Sequence, residues 1–307
     1  MSIQINLQES VQVNVQRIMQ ARIDRCREHL RHDAPHQAIH QTRKQLKKIR
    51  ALLRLVRYQI GDETYQAANH YFRDAARLIS DARDVSASWE TAEQLQALLT
   101  TARDRQAVGR LKRHLRAKKG AITRYQVHGG QLLQSVQDAL ADAEQFHRAW
   151  TISDDGFEAV EKGIRSIYKQ CQKRQAVAYA QFDTEAFHQW RKSVKYLRYQ
   201  VDTLSPLWPG TLQALESELN RLTDFLGNDH DLMVLGETIE HGKLMPPAPT
   251  RSVLATLEEQ RTTQQEAALP LALKLFDQKP KQFVADLARW WQVEAEWRDG
   301  VTKLVGV

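Results

Sequence analysis

Cysteine is nearly missing from this chain: 307 residues contain two, Cys26 and Cys171. They form neither a CxxC pair nor a metal-ligand spacing, so they read as buried reduced thiols without a chemical role, and no metal site is expected. Glycine and proline are sparse, at 13 and 8, which argues against fibrous and low-complexity classes. No apolar run approaches the roughly 18 residues a membrane helix needs. The first thirty residues carry Glu9, Arg17, Arg22, Asp24, Arg25 and Arg27 and lack the apolar stretch of a secretion signal, so a cytoplasmic protein with no membrane partner is expected. Nor is there a P-loop, a carboxylate cluster to hold Mg²⁺ or a convincing nucleophile motif. The expectation is a protein that is not an enzyme and uses no cofactor.

What is abundant is positive charge, in blocks. Lys and Arg total 44 against 37 Asp and Glu, a net +7. From Ile39 to Arg57 there are seven basic residues and no acid; from Arg103 to Arg124 there are nine against Asp104 alone. From Thr211 onward the balance reverses, ten basic to fifteen acidic. A uniform excess would not look like this, and a polyanionic partner is the natural inference.

Apolar residues recur at i, i+3, i+4 and i+7 over Val15–Leu30, Ala38–Tyr58, Gln131–Trp150, Ala159–Ala180 and Leu212–Ile239, whereas strand-like alternation is scarce. The chain therefore reads as all-α. Helix starts are expected at Asp33, ahead of Pro35, and at Ser153 and Asp154. Breaks are expected near Gly61, Gly120, Pro206–Gly210 and the proline-rich linker Met245–Thr250.

An internal repeat organises the rest. IHQTRKQLKKIRAL, Ile39 to Leu52, falls on FHQWRKSVKYLRYQ, Phe187 to Gln200, at an offset of 148, with six of fourteen positions identical. Arg17 falls on Arg165 and Arg25 on Lys173; with a one-residue slip, ISDARDV from Ile79 falls on LGNDHDL from Leu226. An offset of half the chain implies a duplicated unit of about four helices, residues 1–150 and 151–307.

At 100° per residue, His40, Arg43, Lys44, Lys47, Arg50 and Arg54 share an arc of about 120°, opposite Ile39, Leu46, Ile49, Leu52, Leu53 and Val56. His188, Arg191, Lys192, Lys195 and Arg198 repeat the arrangement opposite Phe187, Trp190, Val194, Leu197 and Val201. Aligned like charges repel, so something outside each helix must compensate, and a bound polyanion would. Amid these cations the two histidines should be neutral hydrogen-bond donors. A second stripe, Arg165, Lys169 and Lys173, precedes the second copy. The dense run Gly109–Gly120 has no counterpart and reads as a flexible solvated segment, an auxiliary anion site or a nucleic-acid-like patch. Asp229, His230 and Asp231 sit too close in sequence to share a helix face, so they read as packing or orienting groups rather than metal ligands.

On IHQTRKQLKKIR, ARDV, FHQWRKSVKYLRY and RLTDFLGNDHDLMVL, in that order, the chain resembles the CHAD family, the conserved histidine α-helical domain. The resemblance implies two pseudo-twofold-related four-helix bundles flanking a basic cavity or groove that binds inorganic polyphosphate, often at polyphosphate granules. It places His40, Arg43, Lys44, Lys47 and Arg50, and His188, Arg191, Lys192, Lys195 and Arg198, on the phosphates, with Arg165 and Lys169 on the neighbouring helix. Some relatives carry a fused triphosphate tunnel hydrolase; here the repeat begins almost at the first residue, and no such domain is expected. The alternatives are a nucleic-acid-binding helical protein, which suits the basic helices but not their lack of interleaved aromatics, and a phosphohydrolase using His40 or His188 as phospho-acceptor.

Overall fold

The computed structural model describes residues 3–124, 131–148 and 150–305, and among them there is no strand. In chain order the helices are α1 (Val11–His32), α2 (Pro35–Leu55), the single turn α3 (Arg57–Ile60), α4 (Asp62–Leu78), α5 (Ser80–Leu98), α6 (Ala102–Ile122), α7 (Gln131–Ala139) and α8 (Ala143–Arg148). The second half supplies α9 (Glu158–Gln181), α10 (Thr184–Leu204), α11 (Pro209–Gly242), α12 (Pro247–Leu275) and α13 (Pro280–Val305).

Two devices start these helices. Proline opens α2, α11, α12 and α13, where its missing N–H would be unpaired anyway. Side-chain caps open α1, α6 and α10: Ser10, Thr101 and Asp183 accept from the amides of Val13, Asp104 and Ala186. Asp33 is not the cap of α2 that the sequence suggested; it terminates α1 and meets His29 Nδ1 at 2.9 Å. Likewise α9 begins at Glu158, beyond Ser153 and Asp154, and the neighbouring Asp155 instead accepts from the Val11 amide of α1 at 2.7 Å. Gly61 does break the chain, at φ +79°, but Gly120 lies inside α6. The expected linker at Met245–Thr250 shrinks to the turn before Pro247, which opens α12.

Helices α1, α2, α4 and α7–α8 pack as one bundle, and α9, α10, the first half of α11 and α13 as another. One apolar core runs through both, from Ile18, Met19 and Phe72 to Trp190, Leu222 and Leu287. A second core, built on Leu95, Val108, Leu111, Leu115, Leu235 and Leu257, joins α5 and α6 to the end of α11 and the start of α12. That unit draws on both halves, and the sequence did not suggest it. Residues 150 and 151 lie between α8 and α9.

Helices α2 and α10 pair at the centre. At the repeat offset, position 48 corresponds to 196 and position 54 to 202, and the structure makes both cross-contacts: Lys48 Nζ meets Asp202 at 2.9 Å, and the Arg54 guanidinium lies 3.9 Å from the Tyr196 ring centroid. Reciprocal contacts of this kind, i to j and j to i, are what a twofold relation between two helices requires. Gln200 Nε2, donating to the Ala51 carbonyl at 3.2 Å, adds a buried tie. Helix α9 crosses close by through Gly163, where a Cβ would stand 1.9 Å from the Leu55 carbonyl oxygen.

Candidate polyanion groove

Pairing α2 with α10 turns their cationic faces toward common space. Two chambers result, of about 560 and 590 Å³, sharing a wall of Arg43, Lys47, Arg191, Lys195, Tyr199 and His230. The first runs past Arg50, Arg54, Arg57, Arg73, Arg77 and Arg174 together with His188 and Lys192; among the described residues its lining holds eleven Lys and Arg side chains and no carboxylate, although Arg57 pairs with Asp62 and Arg73 and Arg77 with Asp74. The second contains His40, Lys44, Arg83 and Arg198 but also Asp84, Asp224 and Asp231.

Of the residues singled out in the sequence, His40, Arg43, Lys44, Lys47, Arg50, Arg54, His188, Arg191, Lys192, Lys195 and Arg198 are thus brought together. The stripe Arg165, Lys169 and Lys173 is not. The face of α9 turned to the first chamber carries Gly163, Ser166, Ile167, Gln170 and Arg174, so the expected stripe is rotated off it. Arg165 pairs with Glu161 at 3.2 Å, Lys169 is exposed, and Lys173 lines a separate cleft behind Arg174. Arg57, Arg73, Arg77 and Arg174 were missed because the repeat does not duplicate them. Arg83 was visible in the ISDARDV segment but obscured by the acids around it.

The central lysines are also deeper than a helical wheel suggests. Lys47 and Lys195 are half-buried rather than solvent-facing. Burial, then the charges of Arg43 and Arg191, pulls the Lys47 ammonium down to about 8, and burial with Arg191 and Lys47 pulls Lys195 well below its ordinary value. Burial lowers Arg191 too. The imidazoles behave as expected in direction, although burial leads the neighbouring cations as the cause. His40 is lowered, and His188, packed edge-on against His230 with centroids 4.4 Å apart, falls to about 4. The Nδ1 atoms of His188 and His230 and the Nε of Arg191 are buried with no hydrogen-bond partner.

Positioning differs between the halves. Arg43 bonds the Ser80 hydroxyl and the Ala76 carbonyl; at the slipped offset Ser80 falls on Gly227, which lies against the Arg191 guanidinium but has no hydroxyl to offer it. Arg50 donates to the neutral Asn69 amide at 3.0 Å, whereas its counterpart Arg198 is held by Glu216 at 2.6 Å. Asp229 does orient an arginine, but a distant one: it accepts from Arg261 at 3.1 Å and from Gln265 at 2.8 Å, outside both chambers.

Fold and site together define an all-α protein of two helical bundles whose central helices line two cation-rich chambers. The CHAD domain profile matches residues 17–240, and the chain belongs to that family. Among solved structures the fold is similar to PptA from Streptomyces chartreusis, with a TM-score of 0.57 and 16% identity over 88% of this chain and 100% of that one. It is similar also to the CHAD domain from the plant Ricinus communis, with a TM-score of 0.56 and 16% identity over 84% of this chain and 89% of that one. Comparison with curated protein sequences finds no match. No helix among the described residues is long and apolar enough to cross a membrane.

Proposed function

We propose that this protein binds inorganic polyphosphate, one chain lying through both chambers, and that it acts by binding rather than catalysis. The observation that carries the reading is the first chamber: eleven cations line it, several of them half-buried, and of the eleven Arg57, Arg73 and Arg77 have carboxylate partners in Asp62 and Asp74. Leaving so many like charges together is unfavourable unless an anion of matching density joins them. A polymer of phosphates fits because the two chambers lie side by side, with Arg43, Lys47, Arg191 and Lys195 lining both, and a chain supplies charge to each in turn. Residence at polyphosphate granules follows from the same reading.

Nucleic acid is a poorer fit. Of the four tyrosines in the first chamber, Tyr196 lies under Arg54 and Tyr65 at 4.7 Å from Arg57, and Tyr199 is buried, which leaves Tyr58 alone exposed for a base to stack on. Phosphoryl transfer through His188 is disfavoured because its Nδ1 has no carboxylate or carbonyl to orient it.

The test is Lys47→Met with Lys195→Met. Replacing buried like charges by similarly sized apolar chains should leave the fold intact and raise unfolding stability by about 1 kcal/mol in urea titrations. Affinity for long-chain polyphosphate should fall at least tenfold for either variant and be lost in the double. A folded double variant that binds like the parent would remove the groove from consideration.

A further inference from the structure

Outside the groove, the largest concentration of unused charge is on α6. The run Gly109–Gly120 is not a flexible segment: it is continuous helix within Ala102–Ile122, anchored by Val108, Leu111 and Leu115 in the second core. With that face fixed inward, Arg110, Arg113 and Arg116 are held outward and exposed, and among the described residues none has an ion-pair partner. The only acid of the helix, Asp104, is buried and bonded to Ser252 at 2.8 Å. The exposed acids of the same four-helix unit lie on other helices, Glu237 and Glu240 on α11 and Glu258 and Glu259 on α12.

The position of this face matters as much as its charge. Thr123, just past the end of α6, meets His36 Nε2 of α2 at 3.1 Å; one turn further along α2, His40 lines the second chamber. Lys118 of α6 and Asp84, itself a lining residue of the second chamber, border one shared cleft. At about 1.5 Å per residue the three arginines therefore lie within about 20 Å of the end of α6 that meets α2.

We infer that the exposed face of α6 is a second polyphosphate site, which takes the part of a long chain that emerges from the second chamber. This rests on the groove being a polyphosphate site, and it adds that the protein grips long chains twice. Tethering makes the second contact intramolecular, so it strengthens binding only for chains long enough to span both sites.

The experiment uses the full chain with Arg110→Gln, Arg113→Gln and Arg116→Gln, and size-fractionated polyphosphate in two classes, one just filling the groove and one several times longer. Short-chain affinity should stay within twofold of the parent. Long-chain affinity should fall about tenfold, and the log–log salt slope for long chains should drop by about 2, near 0.7 for each arginine replaced. Unchanged long-chain binding, or equal weakening for both classes, overturns the proposal. So does a similar effect of Lys274→Gln, Lys281→Gln and Arg289→Gln, exposed cations that line neither chamber. Duplex DNA bound as tightly as long polyphosphate, and released by the α6 variant, would make the face a nucleic-acid surface instead. The Lys47→Met, Lys195→Met double variant separates the two readings: if it still binds short chains the groove assignment fails, whatever α6 does.

Discussion

Lys47 is an ammonium group half-buried among guanidinium groups, and its chemistry follows from that placement. Its ordinary value is about 10.4 in an unfolded chain, and folding lowers it to about 8. Between those limits the unfolded chain holds more protons than the folded one, so the free protein should gain stability as pH rises from 8 toward 10. Ligand binding runs the other way. Phosphates favour the protonated lysine, so above pH 8 each binding event must take up a proton, and affinity should fall through the window in which the free protein becomes more stable. Calorimetry in buffers of different ionisation enthalpy reads this uptake directly. Lys47→Arg, which stays charged, should reduce it; uptake that is zero at pH 9 in the parent would contradict the protonation scheme. His188, lowered to about 4, should not titrate near neutrality. The side-chain types at these positions were legible in the sequence. Their depth was not, because a helical wheel shows which way a side chain points but not how closely a partner helix 148 positions away covers it.

The arrangement of elements turns on one close approach. Glycine inside a helix is usually a weakness of up to about 1 kcal/mol relative to alanine. At Gly163 the sign should reverse, because a Cβ there would meet the Leu55 carbonyl oxygen at 1.9 Å and α9 would have to move off α2. Gly163→Ala should therefore lower unfolding stability by roughly 3 kcal/mol in denaturant titrations, and it should weaken polyphosphate binding as well, since Gly163 also lines the first chamber. A neutral outcome would mean that α9 is not held where it is described. Helix periodicity and the repeat made α1, α2, α9, α10 and α11 readable, along with the basic faces of α2 and α10. The face of α9 that enters the groove was not readable, since the choice between the Arg165 stripe and the Gly163 to Arg174 stripe is set by this crossing. The second core escaped for a similar reason: it joins α5 and α6 to α11 and α12, segments more than a hundred residues apart whose individual apolar stripes say nothing about partners.

For the molecule as a whole, the two chambers are alike in plan and unlike in charge, with Asn69 opposite Arg50 in one half and Glu216 opposite Arg198 in the other. Affinity for long polyphosphate should fall steeply with salt, at about 0.7 in log–log slope for each phosphate contacted. The first chamber should dominate that slope: Arg50→Gln should lower it, whereas Arg198→Gln, whose parent side chain is already neutralised by Glu216, should change it little. Equal effects of the two would indicate that the asymmetry has no consequence for binding. The pairing of α2 with α10 also has a consequence for how the protein comes into being. The chain grows at about 5 to 20 residues per second, so roughly seven to thirty seconds separate the emergence of α2 from that of its partner. Throughout that interval the first basic face lacks α10 and the shared wall does not exist, so ribosomal RNA competes for Arg43, Lys47 and Arg50 only with first-half groups such as Asn69 and Ser80. The second half thus does more than complete a binding site: its arrival withdraws from general anion traffic a surface that until then discriminates against nothing.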